Sequence, residues 1–200
     1  MLDMASALND LKHVRQVHVV AVNNECKELI IILEKPKDTA DNIDNEKTIV
    51  CEQVVNNSAS QHFSYTLSEE KNAVCTIADK VGTYLYEPGA ALLKAGPYKL
   101  LSARYGVGKL HPNSHLYTSA HAVDFPGRCF RVIAVSGFGK KELKDFMKGV
   151  EKANLTIRNF PSSVAELRKK LKLKEGGNLY LFATTLADGE KVLIKCEKMV

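Results

Sequence analysis

From Arg128 to Val200 the chain alternates strand-like and helix-like patterns so regularly that few folds remain open to it. Cys129-Phe130-Arg131-Val132-Ile133-Ala134-Val135 is rich in β-branched and aromatic residues and reads as a strand. Leu143, Phe146, Met147 and Val150 follow at the i, i+3, i+4, i+7 spacing of a helix with one apolar face. Asn154 to Phe160 is strand-like again. Ser163-Val164-Ala165-Glu166 has the capping-box pattern and opens a helix whose apolar side is Val164, Leu167 and Leu171, with Gly176-Gly177 to stop it. Leu179 to Thr185 and Lys191 to Cys196 form a hairpin around Ala187-Asp188-Gly189. The order βαβαββ predicts a compact α+β domain with helices on one face of a sheet.

The residues ahead of this module are less regular. Ala5 to Leu11 is helix-like but has no evident start, as though something preceded it. Val14 to Val22 and the continuous apolar run Leu29-Ile30-Ile31-Ile32-Leu33 predict two strands, with Asn23-Asn24-Glu25 as hairpin turn. A run as apolar as 29–33 wants cover on both faces, and the short helix can supply little of it. Lys35 to Lys47 is a polar, charged loop. Thr48 to Val55 and His62 to Leu67 are two further strands, separated by Asn56-Asn57-Ser58, while Glu69 to Cys75 is ambiguous. Pro88 stands near the start of a short helix over Ala90 to Ala95. Pro97 to Tyr105 is a second helical stretch ended by Gly106. His111 to Ala120 is irregular and Asp124 to Gly127 is a turn.

Charge separates the two parts. Residues 128–200 hold 16 Lys and Arg against 8 Asp and Glu, a balance of +8, whereas residues 1–127 carry −3. A basic module on a mildly acidic body fits a polyanion such as nucleic acid, and equally a solvated lysine-rich helix face. With 45% hydrophobic and 26% charged residues the composition is that of a globular protein, which excludes collagen and disorder throughout. Cys26, Cys51, Cys75, Cys129 and Cys196 are odd in number and contain no C-x-x-C pair, so reduced thiols are expected rather than a disulfide scaffold or zinc knuckle. No run approaches the roughly 20 apolar residues of a membrane span, and no secretory signal is visible, so no membrane partner and a cytoplasmic location are expected.

The basic residues form the best candidate site. Arg168, Lys169 and Lys170 crowd one helix, and Lys140 and Lys141 open the other. Arg158, Asn159 and Phe160 join a guanidinium, an amide and an aromatic ring at a strand end, a mix that holds a phosphate and stacks a base. Core or staple packing is the alternative for Phe160. Ser136-Gly137-Phe138-Gly139-Lys140-Lys141 lies between strand and helix, where phosphates bind, but lacks the spacing of a P-loop. It is either an anion site or a glycine-eased turn. His111, His115 and His121 with Asp124 match no zinc spacing, so no metal site is expected. No nucleophile elbow or catalytic constellation is legible, and no catalytic residue is assigned.

Several longer motifs carry a resemblance. Arg158-Asn159-Phe160-Pro161, Glu166-Leu167-Arg168-Lys169-Lys170-Leu171 and Gly176-Gly177-Asn178-Leu179-Tyr180-Leu181-Phe182-Ala183-Thr184-Thr185 resemble the THUMP-like domain at the C-terminus of certain bacterial class I S-adenosylmethionine-dependent methyltransferases, Bacteroidetes members in particular. Tyr84-Leu85-Tyr86-Glu87-Pro88, Leu93-Lys94-Ala95-Gly96 and Leu110 to Ser119 are similar to the ferredoxin-like segment that precedes it. Val17 to Leu29 is similar to the closing hairpin of that family's methyltransferase domain.

The resemblance implies three parts: 1–35, the closing helix and hairpin of a Rossmann-like methyltransferase sheet; 48–127, the ferredoxin-like connecting segment; and 128–200, the THUMP-like domain. The family's glycine-rich cofactor loop and acidic ribose-binding residue have no counterpart here. The G-x-G pairs Gly106-Val107-Gly108 and Gly137-Phe138-Gly139 are followed by no such acid. A C-terminal fragment is therefore expected: S-adenosylmethionine serves the parent protein, and this chain alone binds no cofactor and is not catalytic. RNA (tRNA or rRNA) is the expected partner of the basic module, beside the missing N-terminal methyltransferase domain and a second copy joined through the exposed hairpin. Asn23, Glu25, Cys26 and Lys27 are either a substrate-side turn or a structural one. The alternative to RNA binding is a structural domain that stabilises the methyltransferase without touching RNA.

Overall fold

The computed structural model of the chain describes residues 4–35, 46–55 and 60–199. Asn56-Asn57-Ser58 and most of the expected 35–47 loop lie outside the described residues. The chain divides into two compact units, one of Met1–Val74 with Pro88–Leu101 and one of Cys75–Glu87 with Ser102–Val200.

The first unit is built on a four-stranded sheet. Its strands are β1 (Val14–Val22), β2 (Glu25–Leu33), β3 (Thr48–Val54) and β4 (Gln61–Thr66), in the order β2-β1-β3-β4. Helix α1 (Met4–Asp10) precedes it, and α2 (Leu67–Asn72) follows β4. The β1–β2 turn has two central residues, Asn23 and Asn24, at φ 49° and 63°. Left-handed backbone at both positions suits a tight hairpin turn, and asparagine adopts it at low cost. Alternation decides the buried face: Val17, Val19 and Ala21 of β1 are buried together with Ile49 and Cys51 of β3 and Phe63 and Tyr65 of β4. Helix α3 (Ala90–Ala95) packs on β1, β2 and β3 and buries Ala91, Leu92 and Ala95. Tyr65 donates its hydroxyl to the Ala95 carbonyl at 2.7 Å, so the ring is buried with its polar end satisfied. Pro88 precedes the N-cap Gly89 of α3 rather than entering the helix. Strand β2 forms one edge of the sheet, with Ile30, Ile32 and Leu33 exposed.

The second unit has a seven-stranded sheet. Strands β5 (Tyr84–Pro88), β6 (Gly108–Lys109), β7 (Tyr117–Ser119), β8 (Gly127–Ser136), β9 (Asn154–Arg158), β10 (Leu179–Thr185) and β11 (Lys191–Lys198) run in the order β6-β7-β5-β8-β11-β10-β9. The expected βαβαββ order is present, with α5 (Lys140–Phe146) and α6 (Val164–Leu171) as its helices, after α4 (Tyr98–Tyr105) upstream. On one face Phe146, Leu155, Leu167, Leu181, Ala183 and Leu193 form a core under α5 and α6. On the other, Phe130, Phe182 and Ile194 pack with Leu85, Leu110 and Leu116. Each such burial is worth about 1.5–3 kcal/mol.

Several boundaries differ from the sequence expectation for identifiable reasons. The segment 111–120 contains β7, which pairs with both β5 and β6. Strand β9 stops at Arg158 because Asn159 turns to φ 51°. Helix α5 stops at Phe146, although Met147 and Val150 still pack on the same core, and Gly149 at φ 76° completes the turn. Helix α6 ends on Lys172, itself left-handed at φ 52°, and not at Gly176-Gly177. Leu173 is buried immediately after, which fixes the sharp exit.

Candidate nucleic-acid interface

The expected capping box is present: the Ser163 hydroxyl accepts the Glu166 N–H at 3.2 Å, and the Glu166 carboxylate accepts the Ser163 N–H at 2.8 Å. These bonds hold the Glu166 carboxyl below its ordinary range. The cap fixes where α6 starts and so where its basic residues stand. Lys169 and Lys170 are exposed. Lys170 Nζ lies 5.4 Å above the Phe138 ring, and Phe138 packs against Phe160 with centroids 5.0 Å apart. Phe160 thus joins Lys170 through Phe138, the aromatic residue of the glycine turn that leads to Lys140 and Lys141. Both of those lysines are exposed. They stand in the first turn of α5, where the helix dipole repels cations. Among the described residues no ion pair involves Lys140, Lys141, Lys169 or Lys170.

The glycine turn itself is not an anion cradle. A Cβ at Gly137 would lie 2.9 Å from Glu142 Oε2, and one at Gly139 would lie 3.1 Å from it. A carboxylate already stands over the turn, so the glycines serve its close approach and a phosphate there would meet like charge.

Three expected residues turn elsewhere. Arg168 donates to the Ala153 carbonyl at 3.3 Å and pairs with Glu175 at 3.4 Å, with its side chain 18% exposed. By strand alternation Arg158 points away from the helix face, on the side of Thr156 and Phe182. There its Nε donates to Glu87 Oε1 at 3.0 Å and its Nη2 stands 2.8 Å from the same oxygen. Arg128 binds the other oxygen of Glu87, through Nε at 2.8 Å and through Nη2. Asn159 donates its amide to His111 Nδ1 at 3.0 Å, while its carbonyl accepts from the Thr185 hydroxyl at 2.8 Å. Of the eight candidates, Phe160, Lys140, Lys141, Lys169 and Lys170 therefore remain on the helix side; Arg168 is engaged by Ala153 and Glu175, and Arg158 and Asn159 belong to the opposite face.

Glu87 and Arg128 are residues that sequence reasoning missed. Glu87 is 1% exposed. An acid between Tyr86 and Pro88 carries no pattern that announces a buried carboxylate; only the fold reveals its two guanidinium partners.

The turn 23–27 is tied into the first unit. Asn23 donates its N–H to the Val54 carbonyl at 2.9 Å, Asn24 Oδ1 accepts the Ala90 N–H at 2.9 Å, and Cys26 Sγ donates to the Ala90 carbonyl at 3.1 Å. Lys27 pairs with Glu25 at 2.6 Å on the surface. All five cysteines are free, and burial pushes the Cys51 and Cys196 thiols up to about 12. Among the described residues no group of three His, Cys, Asp or Glu side chains is placed to hold a metal, and no helix is long and apolar enough to cross a membrane.

Two family models match the chain, a THUMP domain-like model over residues 127–198 and a ferredoxin-like domain model over residues 84–126. No curated protein matches it. Among solved structures it is similar to the "putative methyltransferase from Porphyromonas gingivalis W83", at 38% identity with a TM-score of 0.88. The match covers 100% of this chain and 49% of that one, so the chain spans about half the length of this relative. The chain is thus an α+β protein in which a ferredoxin-like domain is followed by a THUMP-like domain.

Proposed function

We propose that this chain is the substrate-handling, C-terminal portion of an S-adenosylmethionine-dependent methyltransferase of the bacterial cytoplasm, and that its THUMP-like domain grips RNA. The methyltransferase part rests on the likeness to the Porphyromonas gingivalis protein. The RNA part rests on one observation above all: Lys140, Lys141, Lys169 and Lys170 stand exposed, with no acidic partner among the described residues, and Lys170 lies over Phe138 of the Phe138–Phe160 ring pair. Exposed cations beside aromatic rings bind phosphates and stack bases, and this needs no sequence-specific readout. S-adenosylmethionine would be held by residues beyond these 200, and the chain alone would neither bind it nor turn over.

The test is binding of the chain to bulk tRNA and rRNA fragments across a salt series. Micromolar affinity that falls steeply with salt is expected, with a shallower slope in the Lys169→Gln/Lys170→Gln variant. Absence of binding at low salt, or a slope untouched by the substitutions, would overturn the RNA role.

A second reading has its own observation. Ile30, Ile32 and Leu33 of β2 are 46%, 42% and 55% exposed on an edge strand, as expected of a surface made to be covered. In that reading the portion is structural: it completes the methyltransferase and makes no RNA contact. A large rise in thermal stability on joining the missing domain, without any RNA binding, would favour it. In isolation the same surface would pair two copies of the chain.

A further inference from the structure

Glu87, Arg128 and Arg158 form a charge cluster that the helix-face lysines do not account for. One carboxylate, buried and fully engaged, faces two guanidinium groups, so the cluster carries a surplus positive charge. The arginines approach in the same manner. Each presents its Nε and Nη2 edge to one carboxylate oxygen, Arg128 to Oε2 and Arg158 to Oε1. That leaves the second edge of each planar group, between Nη1 and Nη2, available for a bidentate acceptor. Among the described residues neither Nη1 has an acceptor. The Arg128 and Arg158 side chains are 30% and 36% exposed, whereas the Glu87 side chain is 2% exposed. The carboxylate thus holds both groups from the buried side and fixes their orientation.

The residue after Arg158 is held as well. His111 Nδ1 accepts the Asn113 N–H at 2.9 Å. The same Nδ1 receives the amide of Asn159, the residue after Arg158.

We infer that Arg128 and Arg158, oriented by Glu87, form a phosphate-binding fork, which in the function proposed above receives a backbone phosphate of the RNA. The inference rests on that function for the source of the phosphate, and on the geometry of the cluster for the site itself. Planar forks held rigid beneath lose little freedom on binding, which is what distinguishes them from the mobile lysines of the helix face.

The test is to observe the arginine side-chain nitrogens of the full 200-residue chain by 15N-edited NMR, with the signals assigned from Arg128→Lys and Arg158→Lys. The chain is titrated separately with tRNA, inorganic phosphate and adenosine monophosphate. Shifts of the Arg128 and Arg158 Nη signals with tRNA, reversed by excess phosphate, are expected. Shifts with phosphate or the monophosphate but none with tRNA support the fork and remove RNA as its source. Binding of tRNA that leaves both Nη signals unmoved overturns the fork and leaves the RNA-binding function standing. Silence in all three titrations overturns it outright. As a second readout, Arg158→Gln is expected to weaken tRNA binding about tenfold and lower the salt slope by about 1. If that variant fails to fold, the titration of the unsubstituted chain still decides.

Discussion

Arg158 Nε stands 3.0 Å from Glu87 Oε1, a contact that joins residues 71 positions apart in the chain. With Arg128 on the other carboxylate oxygen, Glu87 ties the start of the ferredoxin-like match to both ends of the THUMP-like βαβ unit. Removing one member of a buried ion pair costs up to about 3–5 kcal/mol when the remaining charge cannot escape. Here the arginines are partly exposed and can turn to water. Glu87→Gln is therefore expected to destabilise the chain by about 2 kcal/mol in urea unfolding. A double-mutant cycle with Arg158→Gln is expected to give a coupling above about 1 kcal/mol. Additive effects of the two substitutions would mean that the pair contributes geometry without energy.

His115 makes stability depend on pH. Burial, with Lys109 and then Arg158 nearby, pushes its imidazole down to about 4, against an ordinary value near 6.5. Between those values the unfolded chain binds a proton that the folded chain does not, so folding weakens as pH falls from about 6.5 to about 4 and no further below that. After allowance for a half-exposed ring the loss is about 1–2 kcal/mol. His115→Asn tests this, because asparagine tolerates the φ of 52° at this position. Over that window the Tm of the variant is expected to decline less than that of the parent chain. Parallel declines would show that His115 titrates in the folded state as it does in water.

Much of this fold is legible in the sequence where the pattern is local. The capping box at Ser163 and Glu166, the period-3.6 spacing of Leu143 and Phe146, and the Asn23-Asn24 turn each act within a few residues, and all three form. What escaped is non-local. Strand β7 hides in a stretch rich in His, Asn and Ser because its stability comes from pairing with β5 and β6. Strands β3 and β4 share the sheet of β1, and the ferredoxin-like match begins only at residue 84, a grouping no periodicity reveals. The site divides in the same way. Lys140, Lys141, Lys169 and Lys170 are exposed where helix patterning puts them, whereas Arg158 is aimed by strand alternation at an acid that carries no signature of burial.

The cap of α6 offers a local test. Ser163→Ala removes the acceptor for the Glu166 N–H and one of the donors to the Glu166 carboxylate, at a cost of about 1 kcal/mol. Equilibrium unfolding should show that loss, and Ser163→Asp should restore most of it, because aspartate is as good an N-cap. A neutral Ser163→Ala would mean that packing of Leu167 alone sets the helix start.

Gly82 is constrained by space. A Cβ there would come within 2.5 Å of the Ser119 carbonyl oxygen, a backbone atom that cannot rotate away. Thr118 Oγ1 also accepts the Gly82 N–H at 2.8 Å, so the segment is pinned against β7. Gly82→Ala is expected to cost about 1–3 kcal/mol by overpacking, read as a lowered urea midpoint at unchanged slope. An unchanged midpoint would show that the 76–83 segment shifts freely.

The exposed edge of β2 predicts self-association. Ile30 and Ile32 stand on one face and Leu33 on the other, so both faces of the strand are apolar beside a free row of backbone donors and acceptors. Two such edges can pair with each other, burying the isoleucines and continuing both sheets. Only charge opposes it, and the neighbouring Glu28 and Glu34 are too few to blunt the strand, since Lys27 already pairs with Glu25 and Arg15 with Glu34. Sedimentation of the isolated chain is therefore expected to show a concentration-dependent dimer, insensitive to salt because its contacts are apolar and backbone. Ile32→Lys should return it to a monomer, with little change in Tm at concentrations where the parent chain is itself monomeric, as the long lysine side chain can reach water from this exposed position. A monomer at every concentration would show that this edge does not pair with itself.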